Sequence, residues 1–159
     1  MTLTPASAHA ARHGRHHGSG WPPGQKVALT HEQLVSLTKK ALEKSSLGKP
    51  LIELVYLRVS QLNGCAFCLE MHAAALRSGG MSDAKLDSLA GWRVSPHFSD
   101  RERLALGWTE SLTDIANSRA PDDDFAVLKA HFSDAEIADL SFAIALMAAF
   151  NRLAIGMRQ

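Results

Sequence analysis

Cysteine is scarce in this chain: there are two among 159 residues, three positions apart in Cys65-Ala66-Phe67-Cys68. A bridge between them would close almost no loop and would constrain the unfolded chain little, which excludes a disulfide-stapled scaffold. Net charge is equally scant, with 17 Lys and Arg against 16 Asp and Glu. No overall field recruits nucleic acid or an anionic membrane surface. Strand-like alternation of useful length is missing, and so is a glycine loop of the nucleotide-binding kind. The first 31 residues contain no Asp or Glu; His9, His13, His16 and His17 lie there among Gly, Ala, Ser and Arg. The first 25 residues contain no apolar core of signal-peptide length. Residues 1–24 read as a disordered tail, since they carry too little apolar surface to offset the entropy of ordering. Metal binding by these histidines and a transit function are the alternative readings. The longest apolar run, Ile137 to Phe150, is interrupted by Asp139 and Ser141 and is shorter than the roughly 20 residues of a spanning helix. The expectation is a cytoplasmic protein with no membrane and no nucleic-acid partner.

Against these absences stands a helical pattern running from residue 25 to residue 159. Hydrophobic content of 46% and charged content of 21% are ordinary for a globular chain. A single domain of this length buries about two-thirds of its unfolded surface without needing a metal or disulfide. Thr30 with Gln33 has capping-box spacing, and Leu34, Leu37, Ala41 and Leu42 follow at helical period up to Gly48. Pro50 suits the first turn of a second helix, Leu51 to Leu62, apolar nearly all round and so destined for deep burial or a subunit interface. Asn63-Gly64 breaks it, and a third helix runs from about Cys65 to Arg77. Ser82 caps a short helix to about Ala90. Trp92 to Phe98 is a loop. Ser99 with Glu102 and Ser133 with Glu136 are capping boxes for two further helices, and Pro121 opens another between them. Trp21, Trp92 and Trp108 read as core or interface residues. The expected fold is all-α, a single-domain bundle of six to seven helices.

The chemistry concentrates in Glu53, Cys65, Cys68 and His72. At about 100° per residue, Cys68 and His72 lie roughly 40° apart around a helix axis, and Cys65 and Cys68 roughly 60° apart, so the three share one face. Cys65 stands at the helix N-terminus, where free N–H groups favour a thiolate. A protonated His72, one turn beyond Cys68, favours the Cys68 thiolate in the same way. Glu53 is the lone acid of the most apolar helix, a setting that suits a proton acceptor. As an anion it would oppose a thiolate it touched, so it is expected to act through His72 or a water. Two other readings stay open. Cys65, Cys68, His72 and Glu53 could supply four zinc ligands, although the usual second half of a zinc motif is missing. The cysteines could also be inert small hydrophobes.

The stretch from Leu51 to His72, with Glu53, eleven residues, Cys65-x-x-Cys68, three residues and His72, closely resembles the alkyl hydroperoxidase D-like branch of the carboxymuconolactone decarboxylase superfamily. The resemblance continues through Gly91-Trp92-Arg93, Ser99 to Arg103 and Asn151 to Ala154. It implies an all-helical fold, homotrimers or hexamers, and peroxidase activity without a metal or organic cofactor. By position, Cys68 looks like the peroxide-attacking cysteine, Cys65 like the resolving one, and His72 with Glu53 like a proton relay. The implied partners are a hydroperoxide and an external dithiol of lipoyl, thioredoxin or glutaredoxin type. Well-studied peroxidase members carry a second histidine where this chain has Phe67, which implies a simpler relay and a lower rate here. The cysteine pair argues against lactone decarboxylation. Thiol–disulfide exchange, or a non-enzymatic redox-sensing or zinc-binding module, are the rival readings.

Overall fold

A computed structural model describes residues 31–159. The expected tail, Trp21, the Thr30 member of the first capping box and the side chains of Leu34, Leu37 and Ala41 lie outside the described residues. The described residues form eight α-helices and no strand. In order these are α1 (His31–Leu42), α2 (Lys49–Asn63), α3 (Ala66–Ser78), α4 (Asp83–Asp87), α5 (Asp100–Thr113), α6 (Ile115–Ser118), α7 (Asp122–Lys129) and α8 (Asp134–Gly156), with a 3-10 turn at Leu89–Gly91 between α4 and α5. The fold is all-α as expected. The count exceeds six or seven because α6 is a single turn with no apolar period to announce it.

Helix α2 lies at the centre, packed by α3, α5 and α8. Its apolar residues face two cores. Leu51, Val55 and Val59 join Trp108, Ile144 and Met147 in one. Leu54 and Leu57 join Leu76, Leu89, Trp92 and Leu106 in the other. Each such side chain contributes about 1.5–3 kcal/mol on burial. The apolar character of α2 from Leu51 to Val59 is therefore absorbed by deep burial, while Leu62 near its end stays exposed. The same packing explains α8. At 23 residues it is long and apolar enough to cross a membrane by length and composition alone, longer than the interrupted run read from the sequence. Its buried side, Ile137, Leu140, Ala143, Ile144 and Met147, is a wall of the first core.

Local chemistry sets the ends. Both capping boxes form: Ser99 and Ser133 each accept from the backbone N–H three residues on, while Glu102 and Glu136 return to the Ser N–H. Arg103 of α5 satisfies carbonyls of the preceding loop, donating to Phe98 O at 3.1 Å, Trp92 O at 2.7 Å, Arg93 O at 2.8 Å, and Ser95 O. One expectation fails. Gly48 does not close α1, which ends at Leu42; it precedes α2 with φ +76°, a conformation open to glycine.

The end of α2 matters most, because it delivers the cysteines. Gly64 takes the left-handed conformation, φ 69°, and donates to Gln61 O at 3.3 Å, while Cys65 N–H returns to Ser60 O at 3.1 Å. This pair of bonds is a Schellman turn, which satisfies helix-end carbonyls and reverses the chain within two residues. Space is not the constraint at Gly64, since a Cβ would meet nothing within 4 Å. The backbone is. Gly64→Ala is expected to cost about 1–2 kcal/mol, read as a fall of several degrees in melting temperature. An unchanged melt would show that the turn tolerates an L residue.

Candidate active site

Cys65 stands at the N-terminus of α3, as expected, and is the residue that caps it. Its φ and ψ of −85° and 95° are extended, and its sulfur accepts the Cys68 N–H at 3.4 Å. The first sulfur thus folds back over the first turn of α3, toward the backbone of Cys68. Both thiols are free and buried, in contact with Ala154 of α8.

Cys68 and His72 do lie one turn apart on the buried side of α3. His72 Nδ1 meets Glu53 Oε2 of α2 at 2.8 Å, with the imidazole nearly buried and the carboxylate mostly so. The structure therefore brings together all four residues singled out in the sequence. With Glu53 ionised and the imidazole neutral, Nδ1 is the donor of that bond and Nε2 is left as a bare acceptor. Nε2 is buried and takes no hydrogen bond from the described residues. Tyr56, one turn after Glu53 on α2, packs against the imidazole with ring centroids 5.1 Å apart. Burial, followed by the charge of Glu53, pushes the Tyr56 hydroxyl up to about 12, so it is a neutral prop.

The state of Cys68 departs from expectation. Burial pushes its thiol well above the usual range, and the hydrogen bond to Cys65 and the Cys65 charge push the same way. A preformed thiolate is therefore not the resting species, and a base has to take the proton during reaction. Two groups oppose the rise, side-chain hydrogen bonds from Asn151 and Ser60. Neither was singled out from the sequence as a site residue. The available signal was an amide inside the apolar run that makes α8, and a serine amid the apolar residues of α2. Among the described residues no three His, Cys, Asp or Glu side chains are grouped to hold a metal ion, and Glu53 is turned to His72. Phe67, where a second histidine stands in well-studied peroxidases, points outward and is 47% exposed.

Comparison with known proteins places the chain in a family. The family model for the carboxymuconolactone decarboxylase family matches residues 28–111. The uncharacterized protein YdfG of Bacillus subtilis is 32% identical over 136 residues, covering 86% of this chain and 88% of that one. The uncharacterized protein YnjA of Escherichia coli is 34% identical over 143 residues, 84% of this chain and 75% of that one. Among solved structures, a protein of unknown function from Agrobacterium tumefaciens, for which an AhpD antioxidant-defence role has been suggested, superposes with a TM-score of 0.75. It is 41% identical and covers 79% of this chain and 86% of its own. An uncharacterized peroxidase-related protein from a Silicibacter species gives a TM-score of 0.73 at 26% identity, covering 80% of this chain and 68% of its own. The chain belongs to the carboxymuconolactone decarboxylase family, in its alkyl hydroperoxidase D-like branch.

Proposed function

We propose that the protein is a thiol-dependent hydroperoxide reductase. The observation that carries this reading is the His72–Glu53 pair at 2.8 Å, placed one turn behind a buried, free cysteine pair. In the reaction, His72 Nε2 takes the Cys68 proton as sulfur attacks the terminal peroxide oxygen. The O–O bond breaks, Cys68 becomes a sulfenic acid, and the departing alkoxide receives the proton from His72. The Cys65 thiol then condenses with the sulfenic acid, releasing water and forming a disulfide. An external dithiol of lipoyl, thioredoxin or glutaredoxin type reduces it by exchange. The cytoplasm, which keeps such pairs reduced, is the compartment this cycle suits.

The test is peroxide consumption by the purified protein with a panel of dithiol donors. Turnover that needs both peroxide and a dithiol is the expected result. Rapid exchange with disulfides and no peroxide turnover would replace the reading with a thiol–disulfide oxidoreductase.

We also propose that the protein is a homo-oligomer, a trimer or hexamer. Leu62, Phe67 and Met71 are each more than 40% exposed around the cysteine turn, and Phe142 of α8 is also exposed. Apolar surface of this kind marks a contact site. Light scattering is expected to give a multiple of the 17.2 kDa chain mass. A stable monomer at micromolar concentration would refute this.

A further inference from the structure

Whatever reacts with the two sulfurs has to touch them, yet the resting structure seals them in. Cys65 is 1% exposed and Cys68 3%, and both pack with Ala154 of α8 in one buried cluster. Part of that seal has to open, and the three helices that form it are held unequally. Helix α2 is the centre of both cores. Helix α3 is pinned by the 2.8 Å bond between His72 and Glu53, and by Leu76 in the second core. Helix α8 is fastened as far as Asn151, an amide with no exposed surface. Asn63 Nδ2 donates to Asn151 Oδ1 at 3.0 Å, and Asn151 Nδ2 donates to Ser60 Oγ at 3.1 Å, so both bonds tie α8 to α2.

Past Asn151 this fastening stops. Among the described residues, the hydrogen bonds beyond it stay within the helix. Arg152 donates to Ala148 O at 2.8 Å, Met157 N–H to Leu153 O at 2.9 Å and Gln159 N–H to Ala154 O at 3.0 Å. Residues 155–159 are all exposed, and Ala154 is the one buried side chain of the segment 152–159. Arg158 holds a left-handed backbone, φ 62°, which costs an L residue energy. A helix end with so few contacts opens locally far more often than the fold unfolds.

We propose that the last turn of α8 is the gate to the cysteine pair: hinged after Asn151, it lifts Ala154 off the sulfurs and admits a reagent. A methyl group is the smallest apolar contact a side chain can give up, so alanine at 154 keeps the pair covered at rest and cheap to uncover. The gate governs oxidant and reductant alike. It rests on Cys65 and Cys68 being the reactive site, and not on which substrate they meet.

The test needs no peroxide. Iodoacetamide alkylation of the full chain is followed at one pH, where the rate is linear in reagent and reports the population of the open form. Thermal melting is recorded in parallel. Ala154→Gly removes the methyl and loosens the turn, and is expected to react about tenfold faster. Ile155→Gly loosens the same turn from its exposed side, outside the cysteine cluster, and is expected to react about threefold faster. Ala149→Gly, also at an exposed position, loosens α8 on the anchored side of Asn151 and is expected to keep the parent rate.

Parent rates in all three variants would put the entrance elsewhere and overturn the proposal. Equal acceleration by Ala149→Gly would make the opening global, and acceleration by Ala154→Gly alone would make it a packing effect at the sulfurs; either result overturns the gate. Should Ala154→Gly fail to fold, the comparison of Ile155→Gly with Ala149→Gly decides. Gated alkylation in a protein that consumes no peroxide would sink the peroxidase reading and leave the gate standing.

Discussion

Cys68→Ser is expected to abolish peroxide consumption, while Cys65→Ser is expected to react once and stop. Two physical effects compete for the nucleophile. Cys65 caps α3, where the helix terminus offers partial positive charge of about half a unit. Cys68 has a buried imidazole one turn away on the same side of α3. A specific base on the same side of the helix is expected to outweigh a diffuse terminus, because burial holds the proton on Cys68 and a base has to take it. After one equivalent of peroxide, mass spectrometry of the Cys65→Ser protein should find a dimedone adduct on Cys68. An adduct on Cys65 in the Cys68→Ser protein, with none on Cys68 in the other variant, would reverse the assignment.

The second large effect belongs to Glu53. Glu53→Gln keeps the shape of the side chain and removes its charge, so Nδ1 is no longer held as the donor and Nε2 no longer held as the acceptor. Peroxide reduction is expected to slow by roughly 10²-fold, the usual size of a general-base contribution. Glu53 is partly solvated, so the fold should survive and the melting temperature should move little. The change should appear in the pH–rate profile, where the limb belonging to the relay is lost. A mutant profile superimposable on the parent's would remove Glu53 from the mechanism.

The features legible in the sequence were those decided over three or four residues. The Ser99 and Ser133 capping boxes formed as their spacing required, since the side chains that satisfy the first N–H groups lie in the same turn. Glu53 and His72 were legible for a different reason: few ionisable groups stand in so apolar a stretch, and each needs a partner. What was not legible depends on how distant helices pack. Asn63, Ser60 and Asn151 meet only because α2 lies against α8, and nothing in their local spacing announces it. Gly48 was misplaced by a residue-scale ambiguity, because it stands where one helix has ended and the next has not begun. Sequence period fixes neither which helix such a residue serves nor whether its backbone is helical.

Cys65 serves two helices at once, completing the turn that ends α2 and accepting the Cys68 N–H in the first turn of α3. Oxidation ties its sulfur to Cys68 and weakens it as an acceptor, so the disulfide form loses a cap that the dithiol form keeps. A good cap is worth about 1 kcal/mol, and sulfur is a weaker acceptor than oxygen, so the loss is a fraction of that. For a two-electron couple such a difference raises the reduction potential by at most about 20 mV. Amide hydrogen exchange at Cys68 should accordingly be faster in the oxidised protein, so that the start of α3 frays when the pair is spent and tightens when it is recharged.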